Sequence, residues 1–401
     1  CFAENKHGRS VSNAVYLKKA ELNSFSSNEI SVVHATEGEP YTIPCHPPTG
    51  YPKPQVFWII QSDSGALING INSSRLSVDP EGNLHFSNVT QKDTLTDAVY
   101  ACSATSTFKT TYRIGRRTRL VVEPSGTTGQ TSYPPTRQYV SPPNVPALKG
   151  KRLDLYCVFG GTPIPEVTWY KRNGRIREGV TKTNYGKTLT FPKVEFNDEG
   201  IYECTASNGV GSIQTHAMEV VVKSIPYWIE APNNTNAADT ETVTFRCVAA
   251  GVPEPKLQWF KNGEPLVSND RIRVNGDELT ITNVQEILDT AVYQCNASNV
   301  NGYAFRDFYL NVLKLPPEIV DPPEKETRAV VTSNVILKCR VFGAPKPEVK
   351  WEKDDTSLNG ANYEVLDNGD LRIHDVRVTD QGKYKCIATN KFGTRFASGE
   401  L

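Results

Sequence analysis

The cysteines are the residues whose spacing predicts chemistry in this sequence. Eight of the nine belong to one repeated order: a Cys, a Trp twelve or thirteen residues later, and a Tyr two residues before a second Cys. Two cysteines on facing strands can form a disulfide, and an indole can cover it in a hydrophobic core. The repeat therefore predicts four disulfides, each covered by one core indole: Cys45–Cys102 with Trp58, Cys157–Cys204 with Trp169, Cys247–Cys295 with Trp259, and Cys339–Cys386 with Trp351.

The segments between these residues indicate strands joined by turns. Proline-rich corners such as P-P-T-G-Y-P-K-P and G-A-P-K-P follow the first Cys of each repeat and cannot continue a central strand. An Asp four residues before the Tyr, at Asp198, Asp289 and Asp380, marks a turn to which the Tyr hydroxyl can bond, whereas the first repeat has Asp97 three residues before Tyr100. The combination predicts an all-β chain of tandem immunoglobulin-like, I-set-type β-sandwich domains.

The run C-x-A-x-N-x-x-G follows the second Cys of the last three repeats and also opens the chain at Cys1. Such a run is expected of a tight hairpin whose Gly takes a positive φ. We therefore expect Cys1 to be unpaired by truncation of its domain. The predicted organisation is a C-terminal remnant of domain 1 at 1–22, domain 2 at 26–123, a flexible linker at 124–136, domain 3 at 136–223, domain 4 at 227–313, and domain 5 at 316–401, which stops inside its last strand.

The predicted joints between domains differ. Residues 124–136 have no apolar alternation and contain Gly and Ser, and at about 3.3 Å per extended residue they could span about 40 Å. This reach would let domain 3 lie back against domain 2. Near 218–232, by contrast, one strand runs into the next domain with two stiffening prolines. Trp228 lies at that junction, where we expect it to pack against the neighbouring domain; a contact point for a partner is the alternative.

The cysteines and the glycosylation sequons together favour an extracellular location. Disulfides persist in oxidising compartments, and N-x-S/T sequons are used only in secreted or surface proteins. No run of about 20 apolar residues is present to cross a bilayer. We expect a wholly extracellular chain belonging to a protein of the cell membrane, with predicted glycosylation at Asn72, Asn88, Asn233 and Asn296. Asn296 follows the inward-facing Cys295, so strand alternation predicts that it points to solvent.

Three longer strings resemble a known family. They are S-I-P-Y-W-I-E-A-P, G-N-L-H-F-S-N-V at 82–89, and A-V-Y-Q-C-N-A-S-N-V-N-G-Y at 291–303, and they resemble the neuroglian and neurofascin family of neural adhesion molecules, in particular an insect-type member. The resemblance covers essentially the whole chain. It implies a cell-surface receptor whose first four domains form a horseshoe, with domain 2 on domain 3 and domain 1 on domain 4. It also implies binding to copies of the same protein on opposing cells.

Basic residues are concentrated between 105 and 180 in a chain of zero formal net charge. One interpretation is a docking patch for sulfated glycans or an acidic partner, because clustered charge raises encounter rates. The other is a solvated edge strand that its charges protect from aggregation. The densest part holds Lys109, Arg113, Arg116, Arg117 and Arg119.

Catalytic, metal and nucleic-acid sites are not indicated. The six histidines stand apart from any Cys, Asp or His at ligand spacing, and each is expected on the surface or in a loop: His7, His34, His46, His85, His216 and His374. No nucleophile set, phosphate loop or calcium loop is visible, and no recognition helix accompanies the basic residues. We predict no cofactor, no enzymatic activity and no nucleic-acid partner.

The function that we expect is homophilic, and also heterophilic, cell–cell adhesion, and the family resemblance implies that it acts in neural development and axon guidance. The alternative is the ligand-binding ectodomain of a receptor kinase or phosphatase, because one sandwich fold carries many functions. A titin-like structural role is the third interpretation; unused sequons and reduced cysteines would favour it.

Overall fold

The structure is a computed structural model, and it describes residues 1–27, 29–71, 73–126, 132–358 and 360–401. The chain divides into two compact units, one formed by Cys1–Ala14 with Ile225–Leu401 and the other by Val15–Ser224. We call these unit 1 and unit 2. The first described elements belong to unit 1 and pair as an antiparallel hairpin, β1 at Phe2–Asn5 and β2 at Gly8–Val11.

Domain 2, in unit 2, is a sandwich of a five-stranded and a three-stranded sheet. The larger sheet has the order β4-β12-β11-β7-β8 with β4 parallel to β12, and the smaller one has the order β5-β10-β9. A 3₁₀ turn at Gln91–Asp93 precedes β11. The strands are β3 Glu21–Leu22, β4 Ile30–Thr36, β5 Tyr41–Ile43, β6 Gly50–Tyr51, β7 Gln55–Ser62, β8 Leu67–Gly70, β9 Leu76–Val78, β10 Leu84–Phe86, β11 Ala98–Ser106 and β12 Lys109–Glu123.

Two strand positions differ from the predicted boundaries around domain 2. β3 was expected in the domain 1 remnant, but it pairs with β6 of domain 2. The next strand, β13, begins at Tyr133, inside the predicted linker, so the last residues assigned to the linker are extended and hydrogen-bonded. Residues 127–131 of the linker lie outside the described residues.

Domain 3 completes unit 2 and has a four-stranded sheet in the order β13-β15-β18-β17. It also has four strands, in the order β14-β20-β19-β16, of a five-stranded sheet whose remaining strand, β23 at Val248–Val252, pairs with β20. In β19 the side chains of Tyr202, Cys204 and Ala206 are buried and those between them are more exposed, which is the period-two pattern of a sandwich strand. Short 3₁₀ turns lie at Asn184–Gly186 and Phe196–Asp198. The strands are β13 Tyr133–Val140, β14 Asn144–Leu148, β15 Leu153–Thr162, β16 Glu166–Lys171, β17 Thr181–Thr183, β18 Thr188–Phe191, β19 Gly200–Ser207 and β20 Gln214–Glu230.

Domain 4, in unit 1, has a five-stranded sheet in the order β21-β29-β28-β24-β25 and a three-stranded sheet in the order β22-β27-β26. A single helical turn, α1, spans Glu286–Asp289. The strands are β21 Thr235–Ala238, β22 Val243–Arg246, β23 Val248–Val252, β24 Lys256–Lys261, β25 Glu264–Pro265, β26 Ile272–Asn275, β27 Glu278–Ile281, β28 Ala291–Asn299 and β29 Gly302–Leu313.

Domain 5 follows in the same unit, with sheets in the orders β30-β32, β31-β36-β35 and β34-β33-β37-β38. A 3₁₀ turn lies at Val378–Asp380. The strands are β30 Leu315–Asp321, β31 Val335–Leu337, β32 Arg340–Ala344, β33 Glu348–Lys353, β34 Thr356–Ser357, β35 Tyr363–Val365, β36 Leu371–Ile373, β37 Lys383–Asn390 and β38 Gly393–Glu400.

Each domain has its own hydrophobic core, with one disulfide and one indole inside it. Each indole N–H donates to the carbonyl of a glycine at 2.8 to 3.0 Å. All four glycines have a positive φ, a conformation that other residues adopt only at a cost. The disulfides join Cys45–Cys102, Cys157–Cys204, Cys247–Cys295 and Cys339–Cys386, and the indole–glycine pairs are Trp58–Gly82, Trp169–Gly186, Trp259–Gly276 and Trp351–Gly369.

A tyrosine hydroxyl closes the turn before the second Cys of each domain by donating to an aspartate carbonyl at 2.7 to 3.1 Å. Burial raises the pKa of these phenols, so they stay protonated and remain donors. In domain 2 the acceptor is Asp93, seven residues before Tyr100, and not Asp97. The turn in domain 2 is therefore three residues longer than its counterparts, and Asp97, the departure that the sequence showed there, is not the acceptor.

Candidate functional site

Domain 2 and domain 3 contact each other within unit 2 through backbone groups. The amide of Gly161, at the end of β15, donates to the carbonyl of Ser87 at 2.6 Å. The hydroxyl of Thr162 donates to the carbonyl of Gly38, and it accepts a bond from the side-chain amide of Asn88 at 3.1 Å. These short contacts bring the ends of β10 and β15 together without an intervening side-chain layer.

Gln138 of β13 adds a second set of bonds between the same two domains. Its side-chain nitrogen donates to the carbonyls of Tyr41 and Phe86, at 3.1 and 2.9 Å. Both carbonyls belong to neighbouring strands of domain 2, so one amide group bridges β5 and β10. Sequence reasoning did not single out Gln138, and no sequence pattern identifies it, because an isolated Gln on a strand is common.

A buried lysine ammonium occupies the middle of this contact. Lys187 is only 2% exposed, and its Nζ crosses from domain 3 to donate three bonds to domain 2. The acceptors are the Ser74 carbonyl at 3.0 Å and the hydroxyls of Ser77 and Ser87 at 3.1 and 2.8 Å. All three ammonium protons are therefore satisfied by neutral groups, and burial lowers the pKa of Lys187 to about 8.

His85 of β10 lies close to the same contact and corrects one expectation. It was predicted on the surface or in a loop, but it is 2% exposed, and its ring nitrogens contact Thr42 Oγ1 and Asp79 Oδ2 at 2.8 Å each. The alternation of β10 points His85 away from the core of domain 2, yet the neighbouring residues Phe86 and Ser87 contact domain 3. His85 therefore points away from the core of its own domain and is nevertheless buried.

The N-terminal hairpin of β1 and β2 packs on domain 4 in unit 1. Gln294 of β28 exchanges two hydrogen bonds with the backbone of Val11, at 2.9 and 3.0 Å. The guanidinium of Arg9 donates to the Asn262 carbonyl at 3.1 Å and to the Glu264 carboxylate at 2.9 Å. This contact and the contact of domain 2 with domain 3 are the two pairings that the family resemblance implied.

Gly8 permits the close approach of this hairpin. A Cβ at Gly8 would lie 2.4 Å from the side-chain oxygen of Asn262 and 3.0 Å from Val292. Its φ of 145° is also one that L-residues rarely adopt. Any other residue at this position would push the hairpin away from domain 4.

The four predicted glycosylation sites lie in different surroundings. Asn233 is exposed, and Asn72 lies outside the described residues. Asn88 is 9% exposed at the contact with domain 3, and Asn296 is 6% exposed. The expectation that Asn296 points to solvent was wrong, because it shares a face of β28 with Gln294, which the N-terminal hairpin covers. Alternation did place Asn296 outside its own core, but it could not show that another segment lies there.

The predicted basic patch is spread along β12. Arg113 is exposed, Arg116 and Arg117 are half-buried, and the side chain of Lys109 is not described. Arg119 is paired with Asp63 at 2.7 Å and donates to the Thr96 carbonyl at 3.0 Å. Part of the patch is therefore neutralised within domain 2.

Trp228 packs within domain 4. It is half-buried against that domain's core, and its indole nitrogen lies 3.3 Å from the Phe305 carbonyl. The expectation that it packs against the neighbouring domain is therefore replaced by packing in its own domain.

No group of three or more His, Cys, Asp or Glu side chains that could hold a metal ion occurs among the described residues. Cys1 is exposed, with a free thiol. Within the described ranges, no helix has the length and hydropathy of a membrane-spanning segment.

Family models match three stretches of the chain. Residues 134–208 and 316–390 match an immunoglobulin domain, and residues 226–312 match an immunoglobulin I-set domain. Neuroglian of Drosophila melanogaster is 46% identical over 100% of this chain and 31% of its own length. Neurofascin of Gallus gallus is 35% identical over 98% of this chain and 30% of its own length.

The chain belongs to the neuroglian and neurofascin family of the immunoglobulin superfamily. The similarity to the Drosophila protein agrees with the predicted insect-type member. A further relative, the neuronal cell adhesion molecule of Gallus gallus, is 35% identical over 98% of this chain and 30% of its own length, and its name bears out the prediction that the chain is not an enzyme. The chain spans about a third of the length of these relatives.

A solved structure with a similar arrangement of strands is the insect immune protein hemolin. It is 28% identical to this chain, with a TM-score of 0.67 over 78% of this chain and 81% of hemolin. Hemolin has a domain arrangement with implications for homophilic adhesion. The all-β, tandem immunoglobulin fold predicted from the cysteine repeat is confirmed by these matches.

Proposed function

We propose that this chain is the outer part of a cell-surface adhesion receptor that binds copies of itself on opposing cells. The observation that carries the proposal is the 46% identity to Neuroglian along the whole chain. The contacts of domain 2 with domain 3, and of the N-terminal hairpin with domain 4, support it, because they present pre-formed surfaces and not loosely linked domains. Preorganised surfaces lose less entropy when they bind.

The proposal includes the setting of the chain. It belongs to a protein of the cell membrane and lies on the extracellular side, acting in neural development and axon guidance. Its domains have the boundaries predicted from the repeat, with β3 joined to domain 2. The disulfides and a glycan at the exposed Asn233 are parts of the extracellular form.

Bead aggregation tests the self-binding. Beads of two colours are coated with the 401-residue chain, and mixed-colour clusters are expected that dissolve when soluble chain is added. Gln138→Ala removes the two bonds that bridge β5 and β10, and its matched control is Arg137→Ala at the exposed neighbouring position. Only the first variant is expected to reduce clustering.

Dispersed beads that nevertheless bind to neural cells would refute self-binding and indicate a heterophilic receptor. Equal clustering of the Gln138 and Arg137 variants would show that adhesion does not depend on the contact between domain 2 and domain 3.

The proposal also covers binding of sulfated glycans along β12. The exposed side chain of Arg113 supports it, with Arg116 and Arg117 next to it. The triple variant of these three residues to Ala is expected to elute from heparin at lower salt, because each lost charge weakens a screened attraction. Arg119→Ala is the matched control, since its charge is already paired with Asp63. Unchanged elution of the triple variant would remove glycan binding from the proposal.

A further inference from the structure

Asn88 is a glycosylation sequon residue that lies in a contact between two domains. It lies two residues after the end of β10, and the sequon continues with Val89 and Thr90. The side chain is 9% exposed. Its Nδ2, the atom that would carry a glycan, donates to the Thr162 hydroxyl of domain 3 at 3.1 Å.

The surroundings of this nitrogen leave no space for a sugar. The Gly161 amide lies 2.6 Å from the carbonyl of Ser87, the residue before Asn88. A Cβ added at Gly160 would lie 2.6 Å from Pro40 and 2.7 Å from the Ser87 carbonyl. Since even a methyl group on Gly160 would clash with domain 2 beside Ser87, and Asn88 Nδ2 is itself bonded to Thr162, a pyranose ring on that nitrogen does not fit while the two domains touch.

The oxygen of the same side chain supports this interpretation. Asn88 Oδ1 is buried and has no hydrogen-bond partner among the residues that the structure describes. A buried acceptor without a partner costs about 1 to 3 kcal/mol. Docking therefore leaves this oxygen without a partner, whereas separation of domain 3 would return it to water.

Domain 2 itself does not require Asn88 to be bare. The Asn88 carbonyl accepts a bond from Arg75 at 2.9 Å within domain 2, and this bond involves only the backbone of Asn88. The side chain is not part of the hydrophobic core of domain 2. A glycan on Nδ2 would thus leave the sandwich intact and act only on the contact with domain 3.

We propose that glycosylation of Asn88 and docking of domain 3 on domain 2 exclude each other, so that this sequon sets which state a chain enters. In the modification, Nδ2 loses one proton and bonds to the anomeric carbon of N-acetylglucosamine. The lipid-linked diphosphate of the sugar donor leaves with the electron pair of the broken C–O bond. Domain 2 emerges before domain 3 during synthesis, and domains fold as units in that order, so the transfer competes with docking.

The first test compares glycan occupancy with docking in chains secreted from eukaryotic cells. Occupancy at Asn88 and at the exposed Asn233 is measured by glycopeptide mass spectrometry, and docking by hydrogen exchange of the peptide that contains Gly161. We expect Asn88 to be bare wherever the Gly161 amide is protected, while Asn233 carries glycan in the same molecules. Chains glycosylated at Asn88 with a protected Gly161 amide would overturn the proposal.

The second test does not need the glycosylation machinery. Asn88→Arg places bulk at the contact, Asn88→Ala removes the amide without adding bulk, and Asn233→Arg is the matched control. We expect Asn88→Arg to speed exchange at Gly161 at least tenfold, with the other two variants within about threefold of wild type. Circular dichroism and calorimetry establish that domain 2 remains folded. Protection of Gly161 that persists in the Asn88→Arg chain would refute the steric argument.

Discussion

The buried ammonium of Lys187 predicts that docking of domain 3 on domain 2 strengthens as pH rises above 8. Burial lowers its pKa from 10.5 to about 8. A released Lys187 in water keeps the ordinary value, so docking above pH 8 expels a proton, and higher pH favours the docked form. Below pH 8 the lysine is protonated in both states, and its contribution no longer changes with pH.

The magnitude follows from the difference between the two pKa values. At about 1.4 kcal/mol for each pH unit, the charged form opposes docking by roughly 3 kcal/mol at pH 7 and by roughly 2 kcal/mol at pH 9. Lys187→Met removes this unfavourable free energy of burying the charge, and it also removes three hydrogen bonds, each worth about 0.5 to 1.5 kcal/mol. The two effects nearly balance at pH 7, so the pH dependence is the sharper prediction.

The assay is calorimetric unfolding of wild type and Lys187→Met at pH 7, 8 and 9, in a Cys1→Ser background because the exposed thiol could exchange with disulfides at high pH. Between pH 7 and pH 9, the free energy of unfolding of wild type should rise by about 1 kcal/mol relative to that of the variant. Other titrating groups cancel in this comparison. Parallel stability curves would show that the ammonium is not desolvated in the contact and would refute the reasoning.

Three further predictions concern single features. Replacing Cys157 and Cys204 together by Ala should lower the unfolding free energy of domain 3 by about 3 to 4 kcal/mol while the other domains keep their calorimetric transitions; an unchanged domain 3 would contradict the role of that bridge. Gln294→Ala should speed amide exchange in the N-terminal hairpin roughly tenfold, as expected for about 1.4 kcal/mol, whereas the exposed Gln258→Ala should not, and equal rates would show that the two bonds add nothing. Trp351→Phe should cost domain 5 about 1 to 3 kcal/mol, because the glycine carbonyl loses its donor; a loss below 0.5 kcal/mol in urea denaturation would count against it.

The interior of each domain could be predicted well from the sequence, because it depends on residue spacings within that one domain. The Cys, Trp and Tyr positions define one core with a fixed spacing, and alternation along the strands then decides which side chains face it. The indole–glycine bonds were missed, although a pattern was available: Gly186 and Gly276 each follow the core Trp of their domain by 17 residues. Their recurrence could have marked them as partners.

The surfaces between domains were not predictable in the same way. Alternation shows that His85, Asn88 and Asn296 leave their own cores, but whether a second domain covers them depends on residues far away in the chain. Lys187 is the extreme case, since its partners in domain 2 lie 100 or more residues earlier. No local pattern distinguishes such a lysine from one in water.

The placement of one indole in the centre of each domain makes the chain its own set of optical probes. Five tryptophans are present, and four of them lie in separate cores. Conversion of Trp228 and of all but one core indole to Phe would leave emission from a single domain, so melting or pulling of each domain could be followed in the intact chain. Any order in which the domains give way under load between two cells could then be observed without attached dyes.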